Sequence, residues 1–404
     1  MTRAHELRTR KDYLQTLVDW DADPAANGMV RVISGVRRSG KSSLLELYKQ
    51  HVGSEKVVSV NFEDFSTLGL REAQRFHEEM TARIAATGAT HLHVDEVQEL
   101  DDWSQVINSL RLHENLTITV TGSNASMFVG EGLTYLAGRY VQLEMFPLSL
   151  HEYSSFAPEA PSQPSARYAE WMHGTLPAAA QAGSPKIRRE INNAIFDSIF
   201  ARDIALRGAI KDPDVFMRVA RFVFDNVGSQ LSSHKIANYL TSAGAKTTQP
   251  TVERYLGLLV DAHMLYRCDR FDVRGKAHLK GGAKYYFVDP GLRDVLLGAN
   301  SSNAGHDLEN MVYLELLRRG FSVAVGNAPQ GEVDFVVTRD KERYYVQVAL
   351  TALDVKTLHR ELSSFRGLPA GSHCILLTFD AMPLNTGEVV HLHAADFLDG
   401  APLR

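Results

Sequence analysis

The chain has 404 residues, 44% hydrophobic and 23% charged, which suits two or three domains and excludes both a single small module and wholesale disorder. Its net charge of −5, from 43 basic and 48 acidic side chains, requires any affinity for nucleic acid to reside in a local patch. Cys268 and Cys374 lie too far apart in sequence to suggest a disulfide scaffold or a cysteine-rich metal site.

No run approaches the roughly 18 apolar residues of a spanning helix, and MTRAHELRTRKDYL at the start lacks an apolar signal core. A cytoplasmic protein without membrane contact is expected. Residues 5–20 space Leu7, Tyr13, Leu14, Leu17, Val18 and Trp20 as one helical face, predicting a lead-in helix within 1–28. From Met29, short apolar runs alternate with helical patterns: VRVIS then a helix from Lys41, VVSVNF then 71–86, HLHVD then 103–112, TITVTG then 125–137, and finally YVQLEMF. This rhythm predicts an α/β domain with a parallel sheet over 29–155. APEAPSQPS at 157–165 opens a linker and helical lid segment, 156–227.

Residues 228–290 carry a helix-turn-helix pattern, LSSHKIANYL (231–240), a Gly244 turn, and a second helix with Pro250 in its first turn. Ile236, Ala237, Leu240, Val252, Tyr255, Leu256 and Leu259 form its expected core. Thr248, Gln249, Thr251 and Arg254 then face outward. The following strand and wing, 267–284, set Arg267, Arg270, Arg274, Lys276, Lys280 and Lys284 against Asp269 and Asp272, a net +4. A winged helix is predicted, a module that contacts DNA phosphates or else serves protein contacts. The last segment, 291–404, reads as a helix (306–319) followed by strands at 321–325, 332–338 and 343–350.

Gly35-Val-Arg-Arg-Ser-Gly-Lys-Ser42 fits G-x-x-x-x-G-K-[ST] between an apolar strand and a helix. Such a loop wraps phosphates with the backbone of Gly35 to Gly40, brings Lys41 to the β and γ phosphates, and turns the Ser42 hydroxyl to Mg²⁺ with Ser43 following. ATP and Mg²⁺ are the implied ligands. Arg37 and Arg38 face either phosphates or solvent, and Ser39 completes the loop. HLHVDE (91–96) ends a strand in two acids, with Asp95 suited to the Mg²⁺ shell and Glu96 to polarising the attacking water. His91 and His93, at period two on that strand, read as satisfied structural histidines.

These residues, with TGSNASM (121–127), AGR and PLSLHEY (137–139, 147–153), GTLP (174–177), KYYFVDPGLR (284–293), LENMVYLEL (308–316), EVDFVV (332–337) and YVQVAL (345–350), resemble the bacterial and archaeal AAA-superfamily ATPases whose carboxy-terminal domain of unknown function has a restriction-endonuclease-like core. The resemblance spans nearly the whole chain. It implies that Ser123 or Asn124 senses the γ-phosphate, and that Arg139 is either a finger reaching a neighbour's site or a surface salt-bridge partner. It also implies a homo-oligomer, a hexamer among the candidates.

In the tail, Glu309, Asp334 and Gln347-Val-Ala349 trace the outline of Mg²⁺-dependent nucleases, with Gln347 in place of the second carboxylate and Ala349 in place of the lysine. Lys341 and Lys356 are the lysines left to substitute by migration. A catalytically silent fold is expected. The reading that follows is an ATP-hydrolysing oligomer acting on DNA; its rivals are a nucleotide-controlled switch or scaffold and, third, an ATP-dependent nuclease.

Overall fold

VRVIS forms β1 (Val30–Ser34) and is buried at all five positions, as a strand inside a two-faced parallel sheet must be. The computed structural model describes residues 7–26, 28–113, 115–128, 135–273, 275, 277–278, 282–298, 303–328, 330–369 and 371–403. They fall into two units, 1–145 with 261–263, and 146–260 with 264–404.

In the first unit β1 joins β2 (Val57–Asn61), β3 (His91–Asp95), β4 (Thr117–Gly122) and β5 (Tyr140–Glu144) in the order β2-β3-β4-β1-β5. Every pair is parallel. All five strands match the predicted apolar runs. The helices are α1 (Lys11–Ala22), α2 (Lys41–Val52), α3 (Ala73–Thr87) and α4 (Trp103–Leu110). The helix expected over 125–137 is reduced to a 3₁₀ turn, Ala125–Phe128, and residues 129–134 lie outside the described ones. Asn124 Oδ1 accepts from the Ser126 amide at 3.0 Å and its hydroxyl at 2.7 Å, a local turn that competes with regular helix.

A buried polar cluster ties α1 to the sheet. Arg31, 1% exposed on β1, donates to Asp21 at 2.7 Å, and Tyr48 donates to the same carboxylate at 2.7 Å. His93 stacks on Tyr48 with centroids 5.3 Å apart, and neither ring nitrogen has a hydrogen-bond partner among the described residues. The expectation of a satisfied histidine is corrected there: the ring is held by stacking.

Burial, and then the charge of His91, push the His93 pKa down from 6.5 to about 3. Between those values the unfolded chain takes up a proton that the native state refuses, so stability falls as pH falls through that window, by at most about 1.4 kcal/mol per pH unit. His93→Phe keeps a ring on Tyr48 and removes the titration. Its urea midpoint is expected to drop less than the parent's between neutral pH and pH 5; equal drops would show that His93 carries none of the acid sensitivity.

The second unit begins with α5 (Leu150–Phe156), α6 (Pro164–Trp171), α7 (Pro177–Ala180), α8 (Pro185–Ser198), α9 (Leu206–Gly208) and α10 (Pro213–Asp225). Residues 146–155, expected to close the α/β core, fall in this unit. Leu148 explains why, because its amide donates to the Thr175 carbonyl at 2.8 Å and its carbonyl accepts from the Trp171 indole at 2.9 Å.

Next come α11 (Ser233–Ser242), α12 (Gln249–Asp261), β6 (Leu265–Cys268), β7 (Arg270–Asp272), β8 (Ala277–His278) and β9 (Lys284–Phe287). All seven residues predicted as the core of the helix pair are buried. Asp289, wholly buried, caps α13 (Pro290–Leu297) by accepting from the Leu292 amide at 2.8 Å. Its other oxygen accepts from the amide and hydroxyl of Thr175, each at 2.6 Å, which binds the GTLP and DPGLR motifs together.

The chain ends with α14 (Ala304–Arg318), β10 (Ser322–Ala328), β11 (Gly331–Arg339), β12 (Glu342–Val348), α15 (Val355–Ser363), β13 (His373–Thr378), β14 (Val390–His393) and α16 (Ala394–Leu398). Its sheet runs β14-β13-β12-β11-β10-β7-β8. The predicted wing is therefore revised: β6 pairs with β9 as a hairpin would, but β7 pairs in parallel with β10. Hydrogen bonds from Val325 N to Asp269 O (2.9 Å) and Val273 N to Asn327 O (3.1 Å) satisfy backbone groups that the β10 edge would otherwise leave open.

Candidate functional site

Because every strand of the first sheet is parallel, the carboxyl ends of β1, β3 and β4 share one edge, where α/β sheets place ligands. The phosphate loop leaves β1 there. Gly35 has φ +141°, and a Cβ on it would stand 2.3 Å from the Met145 carbonyl oxygen, so only glycine lets the backbone curl at this point. Gly40, left-handed at φ +106°, starts α2 directly into Lys41, leaving the first helical amides for an anion.

Lys41 is 4% exposed, and its Nζ donates to the carbonyls of Gly35 at 2.8 Å and Val36 at 3.1 Å. Ser42 and Ser43 are exposed, Ser39 is buried, and Arg38 is exposed with φ +69°. Arg37 is buried, pairing with Glu63 at 2.5 Å and lying 3.9 Å from Glu96. That resolves the open choice for Arg37 away from solvent. From α1's cap, Arg10 donates to the Ser39 carbonyl at 3.2 Å.

Asp95 ends β3 and accepts from the Thr121 hydroxyl of β4. Glu96 is left-handed at φ +56°, a conformation that costs a residue with a Cβ and turns its carboxylate away from the strand line. Its amide donates to Thr121 Oγ1 at 3.0 Å, while Oε2 accepts from Gln98 and, at 3.3 Å, from Ser123. Of the two sensor candidates, Ser123 meets Glu96. Asn124 spends its side chain on the Ser126 turn. Arg139 is exposed, with a long 3.5 Å contact to the Tyr135 carbonyl.

A model of the AAA domain matches residues 27–154, and one for a domain of unknown function, DUF8612, matches 166–303. An uncharacterized protein of Haemophilus influenzae is 39% identical over 352 residues, covering 84% of this chain and 86% of that one. This chain belongs to the same family of AAA-domain proteins. An uncharacterized protein of Methanocaldococcus jannaschii is 26% identical over 323 residues, covering 76% and 72%. Among solved structures, the Aeropyrum pernix ORC1 protein in complex with DNA is 14% identical with a TM-score of 0.36, covering 73% of this chain and 93% of that one. AMPPCP-bound DnaA from Aquifex aeolicus is 15% identical with a TM-score of 0.30, covering 62% and 88%.

On α12 of this AAA-domain protein, Gln249 and Arg254 are exposed, as is Thr248 just before it, and Thr251 is half-buried. The outward face predicted from spacing is present. Arg270 is half-buried and donates to Asn327 at 3.1 Å; Arg274, Lys276 and Lys280 lie outside the described residues. Lys284 overturns its place in the basic patch: at 3% exposed, it pairs with Glu309 at 3.0 Å and Glu332 at 2.7 Å.

Those contacts also revise the nuclease outline. Glu309 takes a second donor, the Tyr286 hydroxyl at 2.7 Å. Asp334 accepts from the Val348 amide at 2.9 Å, and Gln347 links the Asp334 amide (3.2 Å) to Glu361 (2.8 Å). Burial, and then the charge of Glu309, raise the Asp334 pKa well above the ordinary carboxylate range. The ammonium beside the carboxylates thus comes from β9. Lys341 sits at the opposite ends of β11 and β12 from Asp334 and Gln347, and Lys356 lies on α15. Among the described residues, no group of three or more His, Cys, Asp or Glu side chains is arranged to hold a metal ion.

Proposed function

We propose that this chain is an ATP-hydrolysing AAA-type protein that works as an oligomer on DNA. The observation that carries this reading is the convergence of the Gly35–Lys41 loop, Asp95 and Glu96 at one edge of a wholly parallel sheet. Gly35, where a Cβ would meet the Met145 backbone, lets the loop pass close to β5 on the path that a phosphate-binding loop requires. Loop amides and Lys41 would hold the β and γ phosphates, and Glu96 would polarise the attacking water while Ser123 steadies its carboxylate. Ser42 and Asp95 would hold Mg²⁺, which supplies charge neutralisation at the phosphates. Arg139 would complete a neighbouring subunit's site, and Thr248, Gln249, Thr251 and Arg254 would meet a duplex.

Hydrolysis measured with and without duplex and single-stranded DNA tests the reading. A rate that responds to DNA is expected. Arg139→Ala should keep ATP affinity and lose turnover, and mixing it with Lys41→Ala subunits should restore part of the rate. Absence of recovery at every ratio overturns the shared site. A rate indifferent to DNA favours a nucleotide-controlled switch or scaffold, a reading that the engagement of Glu96 Oε2 by both Gln98 and Ser123 supports.

A further inference from the structure

A cleft of about 830 Å³ lies at one end of the seven-stranded sheet, and its described lining residues all belong to the second unit. Its floor includes one row of that sheet: Ser322, Thr338 and Arg343 stand opposite one another on β10, β11 and β12. The next row on the same face is Ala324, Val336 and Tyr345, which are buried in an apolar cluster. Polar side chains replace apolar ones where the cleft begins.

Arg339 and Lys341 add two more cations, against the single carboxylate of Asp340 among the described lining residues. Two of the three cations are braced by aromatic rings. The Arg339 guanidinium lies 4.5 Å over Phe321 and donates to the Arg319 carbonyl at 3.0 Å. Arg343 lies 4.9 Å over Phe271, and its Nε is buried without a hydrogen-bond partner among the described residues. Asp340 is 3.8 Å from Arg339 but its side chain is 91% exposed, so it neutralises little. Glu342, the next acid along the turn, accepts from the Tyr344 hydroxyl at 2.6 Å.

The third cation sits where a lysine is least at ease. Asp340 and Lys341 are consecutive left-handed residues, φ +51° and +72°, joining β11 to β12. Aspartate tolerates that conformation, whereas the second position is one that glycine fills without strain. A strained backbone that keeps an ammonium at a cleft is a pointer to use.

We propose that this cleft binds phosphate groups, whether esterified or free. Tetrahedral phosphate oxygens accept from several directions at once, which matches guanidinium, ammonium and hydroxyl donors arrayed around one space. The site is independent of the phosphate loop, since none of its described lining residues belongs to the first unit.

The test uses the full chain carrying Lys41→Ala, so that the loop takes no part, with three probes: ATP, inorganic pyrophosphate and a short fluorescent DNA duplex. Lys341→Gly relaxes the turn and should leave Tm unchanged or raised, while binding weakens roughly tenfold. With the duplex, its salt slope should fall by about 0.9 for the one lost phosphate contact. Arg343→Gln should weaken binding similarly. Losses confined to the duplex would identify a nucleic-acid backbone as the source of phosphate; losses for ATP and pyrophosphate would identify a free phosphorylated ligand. Either supports the site. If both variants bind every probe as the parent does, if the parent binds none, or if only Arg254→Ala on α12 weakens the duplex, the proposal is overturned, while hydrolysis by the unaltered chain remains a separate measurement of the ATPase reading.

Discussion

Glu96→Gln should retain ATP affinity and lose hydrolysis by about 10²- to 10⁴-fold, the usual contribution of a positioned general base. The amide keeps the size of the side chain, and Ser123 and Gln98 still have an oxygen to donate to. What it lacks is the negative charge that draws a proton from water. Lys41→Ala should fail one step earlier, at binding, because it removes the only ammonium in a loop whose Arg37 guanidinium is already paired with Glu63. Equilibrium binding of a fluorescent ATP analogue and single-turnover hydrolysis separate the two phenotypes. Wild-type turnover by Glu96→Gln would remove Glu96 from the mechanism.

The phosphate loop is legible in the sequence because its information is local. Two glycines at fixed spacing, a strand before and a helix after demand one backbone path, and Gly35 and Gly40 take it. The α11 and α12 core was readable for the same reason, since helical period alone selects Ile236, Leu240, Val252, Tyr255 and Leu259. What escaped was set by distant partners. Arg10 meets the Ser39 carbonyl across 29 residues, and Arg37 meets Glu63 across 26; neither pairing leaves a pattern in sequence. Gln98 did carry a signal, standing two residues past Glu96 in HVDEVQ. The three residues of β7 are too few to show periodicity, so nothing marked them for the β10 edge.

Lys284 is where local reading misled most, and it carries the largest expected loss of stability. Among neighbouring glycines and lysines it reads as one more surface cation, yet it is buried between Glu309 and Glu332. Burial alone would discharge it; the carboxylates of Glu309, Asp334 and Glu332 outweigh that and hold its pKa above the ordinary lysine value. Lys284→Met fills similar volume but leaves Glu309 buried without its cation, which should cost about 3–5 kcal/mol. Glu309→Gln, which keeps an acceptor for the Tyr286 hydroxyl, should cost less. The double variant should lose less than the two single losses added together, because removing both charges leaves neither stranded. Urea denaturation at neutral pH measures all three. Strict additivity would mean that Lys284 and Glu309 are not coupled, and the carboxylates at Glu309 and Asp334 would then have to be neutralised by something other than the chain's own ammonium.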